Sequence, residues 1–226
     1  MPRDARLLVV GLVVAYAVVG WGSPPLATEP NDIEGSVVRV AGTACLKPIL
    51  ATGFVVADGT IVTVAHGIAG VDDDLRVIDA SGASYAVEVT AFDDQLDIAV
   101  MAVDGLDGTV ISAASAQPGD TGVITAMSPE SEIDFIEYDV LRIVSAHSGD
   151  IYDSGQVERT AIDVNAAARR GTSGAPLINR AGSYIGMVFA ISRDRENGAY
   201  AIAASEIVDY LASLPTGVVP DRGRCR

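Results

Sequence analysis

Basic residues are scarce in this chain of 226 residues. Lysine and arginine together number 15 against 30 aspartates and glutamates, so the formal net charge at pH 7 is −15. This balance argues against the binding of nucleic acid and against adsorption of the folded part to anionic lipid surfaces. The simplest function of such a net charge is solubility.

Cysteine and histidine are scarce too, with two of each. Neither Cys45 nor Cys225 has a histidine in a matching motif beside it, which argues against a thiol nucleophile. The acidic run Asp72-Asp73-Asp74 carries oxygen ligands of the kind that calcium prefers, but its spacing is not that of an EF-hand loop. We interpret the run as an acidic surface loop, with a metal site as the alternative, and we expect neither a metal nor a cofactor.

Uncharged apolar sequence is concentrated at the amino terminus. Arg3 and Arg6 precede a stretch from Leu7 to Thr28 that would reach about 33 Å as a helix, enough to cross a bilayer. No clean Ala-x-Ala cleavage site follows, so a retained single-pass anchor and a removed signal peptide both stay open. We expect residues 1–30 to form this hydrophobic helix and a linker, with the rest of the chain exported or anchored outside the cell membrane.

The remaining chain has the pattern of short β-strands joined by turns. Asp58-Gly59 between two apolar runs is a strong hairpin signal, because glycine tolerates the positive φ of a tight turn. Six runs precede a looser segment, Gly105 to Pro118, and six follow it. The twelve predicted strands are Ser36–Val40, Thr52–Val56, Ile61–Ala65, Leu75–Ile78, Tyr85–Thr90, Asp97–Val103, Gly122–Met127, Tyr138–Ser145, Gln156–Val164, Ala175–Ile178, Tyr184–Ile191 and Ala199–Ala203.

These runs predict an all-β fold of two six-stranded antiparallel barrels within residues 31–226. The first barrel is expected over about 35–112 and the second over about 118–203. Ser205 is the expected cap of a terminal helix at about 205–213, which ends before Pro215.

Three motifs stand in the order histidine, aspartate, serine. They are Thr63-Val64-Ala65-His66, Asp97-Ile98-Ala99-Val100 and Gly171-Thr172-Ser173-Gly174-Ala175-Pro176. A serine hydroxyl is inert at neutral pH unless an imidazole takes its proton, and the imidazole needs a carboxylate to fix its tautomer. Each motif is weak by itself, but the three together predict a catalytic triad.

These motifs resemble those of chymotrypsin-fold, trypsin-like serine proteases of the bacterial Deg-like type. The similarity extends from roughly Ser36 to Leu214, and membrane-tethered actinobacterial proteases look closest within the group. Further matching segments are Thr52-Gly53-Phe54-Val55-Val56, Gly119-Asp120-Thr121-Gly122-Val123 and Gly186-Met187-Val188. The resemblance implies two barrels, a terminal helix and an endopeptidase acting on proteins or peptides. Deg-like relatives usually carry a C-terminal PDZ domain, which we do not expect here because only a few residues follow the predicted terminal helix.

The resemblance also implies a role for each motif residue. Ser173 is the expected nucleophile and His66 the expected general base, with the amides of Gly171 and Ser173 facing the oxyanion. Asp97 is preferred over Asp93 and Asp94 as the orienting carboxylate, because a buried strand follows it. His147 lacks such a context and is expected to be a surface or structural residue.

Specificity is expected from the pocket that receives the side chain before the scissile bond, here called the primary specificity pocket. Its residues by resemblance are Ala167, Phe189, Ala190, Ile191 and Gly198. Ala167 stands where an acid would select lysine or arginine, so we expect a preference for small or apolar residues. Thr172 replaces the aspartate of zymogen-activated relatives, which argues against activation by propeptide cleavage. Arg169 and Arg170 are interpreted as solvated loop charges, with attraction of acidic substrates as the alternative.

An even pair of cysteines in an exported protein suggests a disulfide between Cys45 and Cys225, with two free thiols as the alternative. For the whole chain, the main functional alternative is a catalytically silent fold that acts as a cell-envelope sensor or binding module. An esterase that uses the same triad is a third possibility.

Overall fold

The computed structural model describes residues 33–214 and 222–225. The hydrophobic helix expected in residues 1–30 lies outside these residues. Within them, no helix is both long and apolar enough to cross a membrane. The strands are β1 (Val37–Ala41), β2 (Thr43–Ala44), β3 (Lys47–Pro48), β4 (Ala51–Ala57), β5 (Thr60–Thr63), β6 (Arg76–Ile78), β7 (Ser84–Asp93), β8 (Ile98–Val103), β9 (Thr121–Met127), β10 (Ile133–Gly149), β11 (Gln156–Ala166), β12 (Pro176–Asn179), β13 (Tyr184–Ile191) and β14 (Gly198–Ala203). The helices are α1 (Ala65–Ile68) and α2 (Ala204–Ser213).

The first barrel closes in the order β1-β4-β5-β8-β7-β6, with antiparallel pairing throughout. Gly59 has φ +60° in the turn between β4 and β5, as the Asp58-Gly59 signal predicts. Strand β5 ends at Thr63, and His66 follows on the short helix α1 rather than on the strand. The barrel interior is filled by buried aliphatic side chains such as Val40, Ile61 and Met101.

The second barrel closes in the order β10-β11-β14-β13-β12-β9. Strand β10 is 17 residues long and extends beyond the predicted Tyr138–Ser145 at both ends. Its far end pairs with β11 as a two-stranded hairpin outside the barrel, where His147 is exposed and opposite Glu158. The predicted all-β fold of two six-stranded barrels is therefore confirmed for the described residues.

A shared apolar cluster joins the two barrels. Phe54 and Ile98 from the first barrel pack with Met187 and Ile202 from the second, and all four side chains are buried. The ring of Phe54 lies 5.0 Å from that of Tyr184, with the planes inclined at 57°. Because both barrels contribute to one water-excluded cluster, the groups at its edge are held in fixed relative positions.

Helix α2 starts directly after β14, at Ala204, so its N-cap position falls on Ala203 and no side chain caps it. The prediction that Ser205 caps this helix is wrong, because Ser205 lies inside the first turn. Packing fixes the helix start instead: Ala204 and Ile207 are buried in the inter-barrel cluster. Glu206 accepts a hydrogen bond from the Thr160 amide at 2.8 Å.

The predicted disulfide between Cys45 and Cys225 is present, with a Cα–Cα distance of 5.6 Å. Cys45 and Leu46 form the two-residue turn between β2 and β3, and both have positive φ, at 53° and 65°. The Gly70 amide donates to the Arg222 carbonyl at 3.1 Å. Residues 222–225 therefore lie against the chain that leaves helix α1 and His66.

Candidate active site

His66 and Asp97 are joined by two hydrogen bonds at the edge of the inter-barrel cluster. The His66 ring nitrogen Nδ1 lies 2.7 Å from Asp97 Oδ2, and the His66 amide donates to Asp97 Oδ1 at 2.8 Å. The Asp97 side chain is 5% exposed and that of His66 is 19% exposed. A buried carboxylate on Nδ1 leaves Nε2 as the ring nitrogen available to accept a proton.

Asp97 is set apart from its acidic neighbours by the way β8 begins. It precedes Ile98 with φ +63°, an uncommon conformation for an aspartate, and its carbonyl accepts the Ala65 amide at 3.3 Å. Asp93 instead accepts the amides of Gln95 and Leu96 at 2.8 and 2.7 Å. The structure thus brings Asp97, and not Asp93, into contact with His66.

Ser173 lies in a loop whose shape depends on two glycines. Gly171 has φ +97° and Gly174 has φ +83°. A Cβ at Gly174 would overlap the Thr52 carbonyl oxygen and lie 2.6 Å from Thr63 Oγ1. Because of this close approach, the Ser173 loop packs on β4 and on Thr63, the last residue of β5. Thr63 lies three residues before His66 in the chain.

Thr52 fixes this loop through its amide and its hydroxyl, and no local sequence pattern singles it out for that role. Its hydroxyl donates to the Gly171 carbonyl at 2.9 Å and accepts the Met127 amide at 2.9 Å. Its amide donates to the Ser173 carbonyl at 2.9 Å, and its own carbonyl accepts the Thr63 hydroxyl at 2.7 Å. Thr52 is fully buried, so the first barrel fixes the conformation of a loop that belongs to the second.

Within the segment Gly171–Pro176, the amides of Gly171 and Ser173 have no acceptor in the described part of the chain. Their neighbours are bonded: the Thr172 amide and hydroxyl donate to the Arg169 carbonyl at 3.0 and 2.7 Å. Thr172 is buried and completes a local turn where zymogen-activated relatives have an aspartate. Free amides on either side of a bonded one suit the binding of an oxyanion.

No hydrogen bond joins the Ser173 hydroxyl to His66 among the residues that the structure describes. Hydrogen bonds between a nucleophile and its base are often long in a free enzyme and shorten when substrate binds. His66 is anchored to Asp97 just before β8, and the Ser173 loop is anchored to Thr52 on β4, so the first barrel positions both groups.

Arg159 is a buried cation behind Asp97 that the sequence analysis missed. It is 3% exposed, its guanidinium lies 5.2 Å from the centre of the Phe189 ring, and it donates to the Leu96 carbonyl at 3.2 Å. Burial lowers the pKa of Arg159, and the negative charge of Asp97 opposes this effect. In the sequence, Arg159 is only an arginine on a strand with alternating polarity. Its partners could therefore be found only from the fold.

The residues expected in the primary specificity pocket have different surroundings. Ala167 is exposed beyond the end of β11, and Ile191 is 46% exposed. Phe189 faces Arg159 and the inter-barrel cluster, and Ala190 is half-buried. Gly198 is buried under the side chain of Arg195, which the sequence analysis did not single out.

A cavity of about 260 Å³ adjoins the Ser173 loop and is lined in part by Met127, Gly171 and Thr172. Arg169 forms an ion pair with Asp134 at its edge. The Arg169 side chain is 57% exposed, as expected for a solvated loop charge, and its ion pair also joins the loop to β10. Arg170 also lines this cavity.

The acidic run at 72–74 is fixed by hydrogen bonds within the protein. Asp74 accepts the amide and hydroxyl of Thr43 at 2.7 and 2.9 Å, and the Thr43 amide lowers the pKa of Asp74. Asp73 pairs with Arg222 at 3.4 Å. Within residues 33–214 and 222–225, no cluster of three or more potential metal ligands is found.

Two closed six-stranded barrels, with a histidine–aspartate pair on one and a glycine-flanked serine loop on the other, define the chymotrypsin class of fold. Residues 51–187 match the family described as trypsin-like peptidase domain. The chain belongs to this family.

Two curated relatives cover most of the chain. Serine protease Rv3671c of Mycobacterium tuberculosis is 26% identical over 202 residues, which are 88% of this chain and 50% of that protein. A probable periplasmic serine endoprotease of the DegP-like type from Pseudomonas fluorescens is 30% identical over 217 residues, 89% of this chain and 43% of that protein. The chain thus spans about half the length of the relatives it matches.

Among solved structures, the active form of the Rv3671c protease from M. tuberculosis superposes with a TM-score of 0.81 at 24% identity. The match covers 96% of this chain and 99% of that one. The tripeptide-bound HtrA-type protease AlgW matches with a TM-score of 0.69 at 19% identity, over 80% of this chain and 60% of the other. The resemblance to bacterial trypsin-like proteases is confirmed, and these structural matches show the fold.

Proposed function

We propose that the protein is a serine endopeptidase in which Ser173, His66 and Asp97 cleave peptide bonds through an acyl-enzyme. The observation that carries the proposal is the paired contact of Asp97 with the ring and the amide of His66, beside a serine loop with two free amides. Family membership supports the reaction class.

In the first half-reaction, Ser173 Oγ attacks the scissile carbonyl carbon while His66 Nε2 takes the hydroxyl proton. The negative charge moves to the carbonyl oxygen, where the amides of Gly171 and Ser173 donate to it. Asp97 keeps the proton on Nδ1 and stabilises the imidazolium. His66 then gives its proton to the leaving amine, and the C–N bond breaks.

In the second half-reaction, water attacks the ester carbonyl and gives a proton to His66. The Ser173 oxygen leaves, recovers that proton, and releases the new carboxyl group. Each step uses only side chains and amides of this chain and water.

The assay for this function compares hydrolysis of casein and fluorogenic peptides by wild type and by Ser173→Ala. The variant should lose about six decades of kcat, since the triad works as a unit. Ser84→Ala, at an exposed serine on β7, is the matched control and should retain full activity. Activity that survives Ser173→Ala would exclude this serine as the nucleophile.

We also place the catalytic domain outside the cytoplasmic membrane, anchored or secreted according to the fate of residues 1–30. The Cys45–Cys225 disulfide supports an oxidising compartment. The test is whether a protease added to intact cells, or to cells stripped of their outer envelope layers, digests the domain. Protection equal to that of a cytoplasmic marker would contradict it.

The substrates are proteins or peptides with a small or apolar residue before the cut. Ala167 supports this preference because it brings no charge to the pocket. A peptide library in which wild type cuts mainly after lysine or arginine would refute it.

A further inference from the structure

A second buried ionic group lies on the outer face of the second barrel. The Asp163 side chain is 1% exposed and receives Arg142 Nε at 2.8 Å and Arg195 Nη2 at 2.5 Å. Burial tends to raise the pKa of Asp163, but the hydrogen bonds from Arg195 and Arg142 outweigh it and the pKa is lowered. Asp163 is therefore an anion within the fold, and it is distinct from the triad carboxylate.

The strand register places Asp163 on the face of the predicted primary specificity pocket. Asp163 is directly opposite Tyr200, and Asn165 is directly opposite Gly198. Opposed residues of antiparallel strands share a face, as do residues two apart on one strand. Asp163 and Gly198 therefore point to the same side of the sheet, away from the barrel interior that holds Ala199 and Ala201.

Arg195 fills the space between these two residues. A Cβ on Gly198 would lie 2.8 Å from Arg195 Nε and 3.0 Å from Nη2, so the guanidinium packs directly on the Gly198 backbone. Nη2 also donates to the Val164 carbonyl at 2.8 Å. Arg195 is carried by the loop between β13 and β14, and the Asn197 carbonyl of that loop accepts the Ala166 amide at 2.7 Å, next to Ala167.

The fit of Arg195 is tight and incomplete in hydrogen bonding. Its Nε is buried and has no acceptor within the described residues. A buried donor without an acceptor is costly, so side-chain packing and the Asp163 contact must hold the guanidinium in place. Arg195 thus pairs with the acid and fills the space next to the Gly198 backbone.

We infer that Arg195 is a specificity-determining residue that occupies the primary specificity pocket and shields Asp163, an acid able to bind a basic side chain. This inference rests on the proposed endopeptidase function. In the wild type, Arg195 restricts the residue before the cut to a small one. When Arg195 is removed, Arg142 stays on Asp163 Oδ2, and Asp163 Oδ1 becomes the acceptor for a lysine or arginine of the substrate.

The test is a comparison of cleavage-site profiles on a peptide library in which only the residue before the cut varies. Arg195→Ala should raise kcat/KM for lysine or arginine relative to alanine by about tenfold to a hundredfold, the range for a hydrogen bond to a charged group. Benzamidine, a small aromatic cation, should inhibit Arg195→Ala and leave the wild type unaffected. The double variant Arg195→Ala, Asp163→Asn should lose both gains.

A second variant tests the inference independently, in case Arg195→Ala does not fold. Asp163→Asn leaves Arg195 without its carboxylate and should increase cleavage after aspartate or glutamate. Arg193→Ala, at an exposed arginine of the same loop, is the matched control and should keep the wild-type profile. Folding of every variant is checked by circular dichroism and by labelling of Ser173 with a fluorophosphonate.

The inference is overturned if folded, labelled variants at both positions keep the wild-type profile. A wild type that is neither labelled nor active overturns the proposed function instead. A labelled wild type that already cuts after lysine and arginine overturns the shielding role of Arg195 while leaving the endopeptidase function intact.

Discussion

Thr52→Val removes one hydroxyl and almost no volume at the contact between the two barrels. In the native protein that hydroxyl serves the Gly171 carbonyl and the Met127 amide, each at 2.9 Å. Valine has the same shape, so the site stays packed. Both backbone groups lose their partner in a region without access to water.

The size of the effect follows from those two unsatisfied groups. A buried polar group without a partner costs about 1–3 kcal/mol, so the free energy of unfolding should fall by about 4 kcal/mol. The Gly171 peptide also carries one of the two proposed oxyanion donors. If its orientation is lost, kcat should fall by about 10²–10³ with little change in KM.

Urea unfolding followed by circular dichroism measures the stability, and steady-state kinetics on a fluorogenic peptide separates kcat from KM. Thr52→Ser keeps the hydroxyl and is the matched control, so it should retain most of the wild-type kcat. Thr109→Val, at an exposed position, should change neither quantity. The reasoning is refuted if folded Thr52→Val has the kcat of wild type, or if Thr52→Ser loses as much as Thr52→Val.

Three further predictions concern buried charge and the disulfide. Arg159→Met should lower kcat more than KM, because the guanidinium that bonds the Leu96 carbonyl next to Asp97 is lost; a folded variant with the kcat of wild type would contradict this. Asp163 has a lowered pKa in the folded protein, so its stabilisation is present above the unfolded value of about 3.9 and is lost as the pH falls. The free energy of unfolding of Asp163→Asn should therefore be lower than that of wild type at pH 7. Below about pH 5 it should change less with pH than that of wild type, as urea denaturation at several pH values would measure. Replacing Cys45 and Cys225 by serine should lower the unfolding free energy by up to about 5 kcal/mol, since the bridge closes a loop of 180 residues, and equal urea midpoints for variant and wild type would refute this.

The double-barrel fold could be predicted from the sequence because strand and turn signals are local. Asp58-Gly59 is a local hairpin signal, and the apolar run Tyr184–Ile191 matches β13 residue for residue. The length of β10 could not be predicted in this way, because its outer end has no fully buried side chain and is ordered by pairing with β11. The start of α2 was misplaced for a similar reason, since burial of Ala204 and Ile207 fixes it rather than a capping side chain.

Within the candidate site, the residues with sequence motifs were found and those that support them were not. His66, Asp97 and Ser173 each stand in a short recognisable segment. Thr52 and Arg159 act through partners 119 and 63 residues away in the chain, Gly171 and Leu96, and no local pattern encodes such a contact. Arg195 likewise reaches Asp163 only because the strand register brings β11 beside β14.

The central claim is that Ser173 is a nucleophile activated by His66. Its most direct measurement is mass mapping of the protein after reaction with a fluorophosphonate, which labels an activated serine. We expect a single adduct on the peptide that contains Ser173, and we expect this adduct to be lost in His66→Ala. An adduct on another serine, or equal labelling of Ser173 without the imidazole, would contradict it.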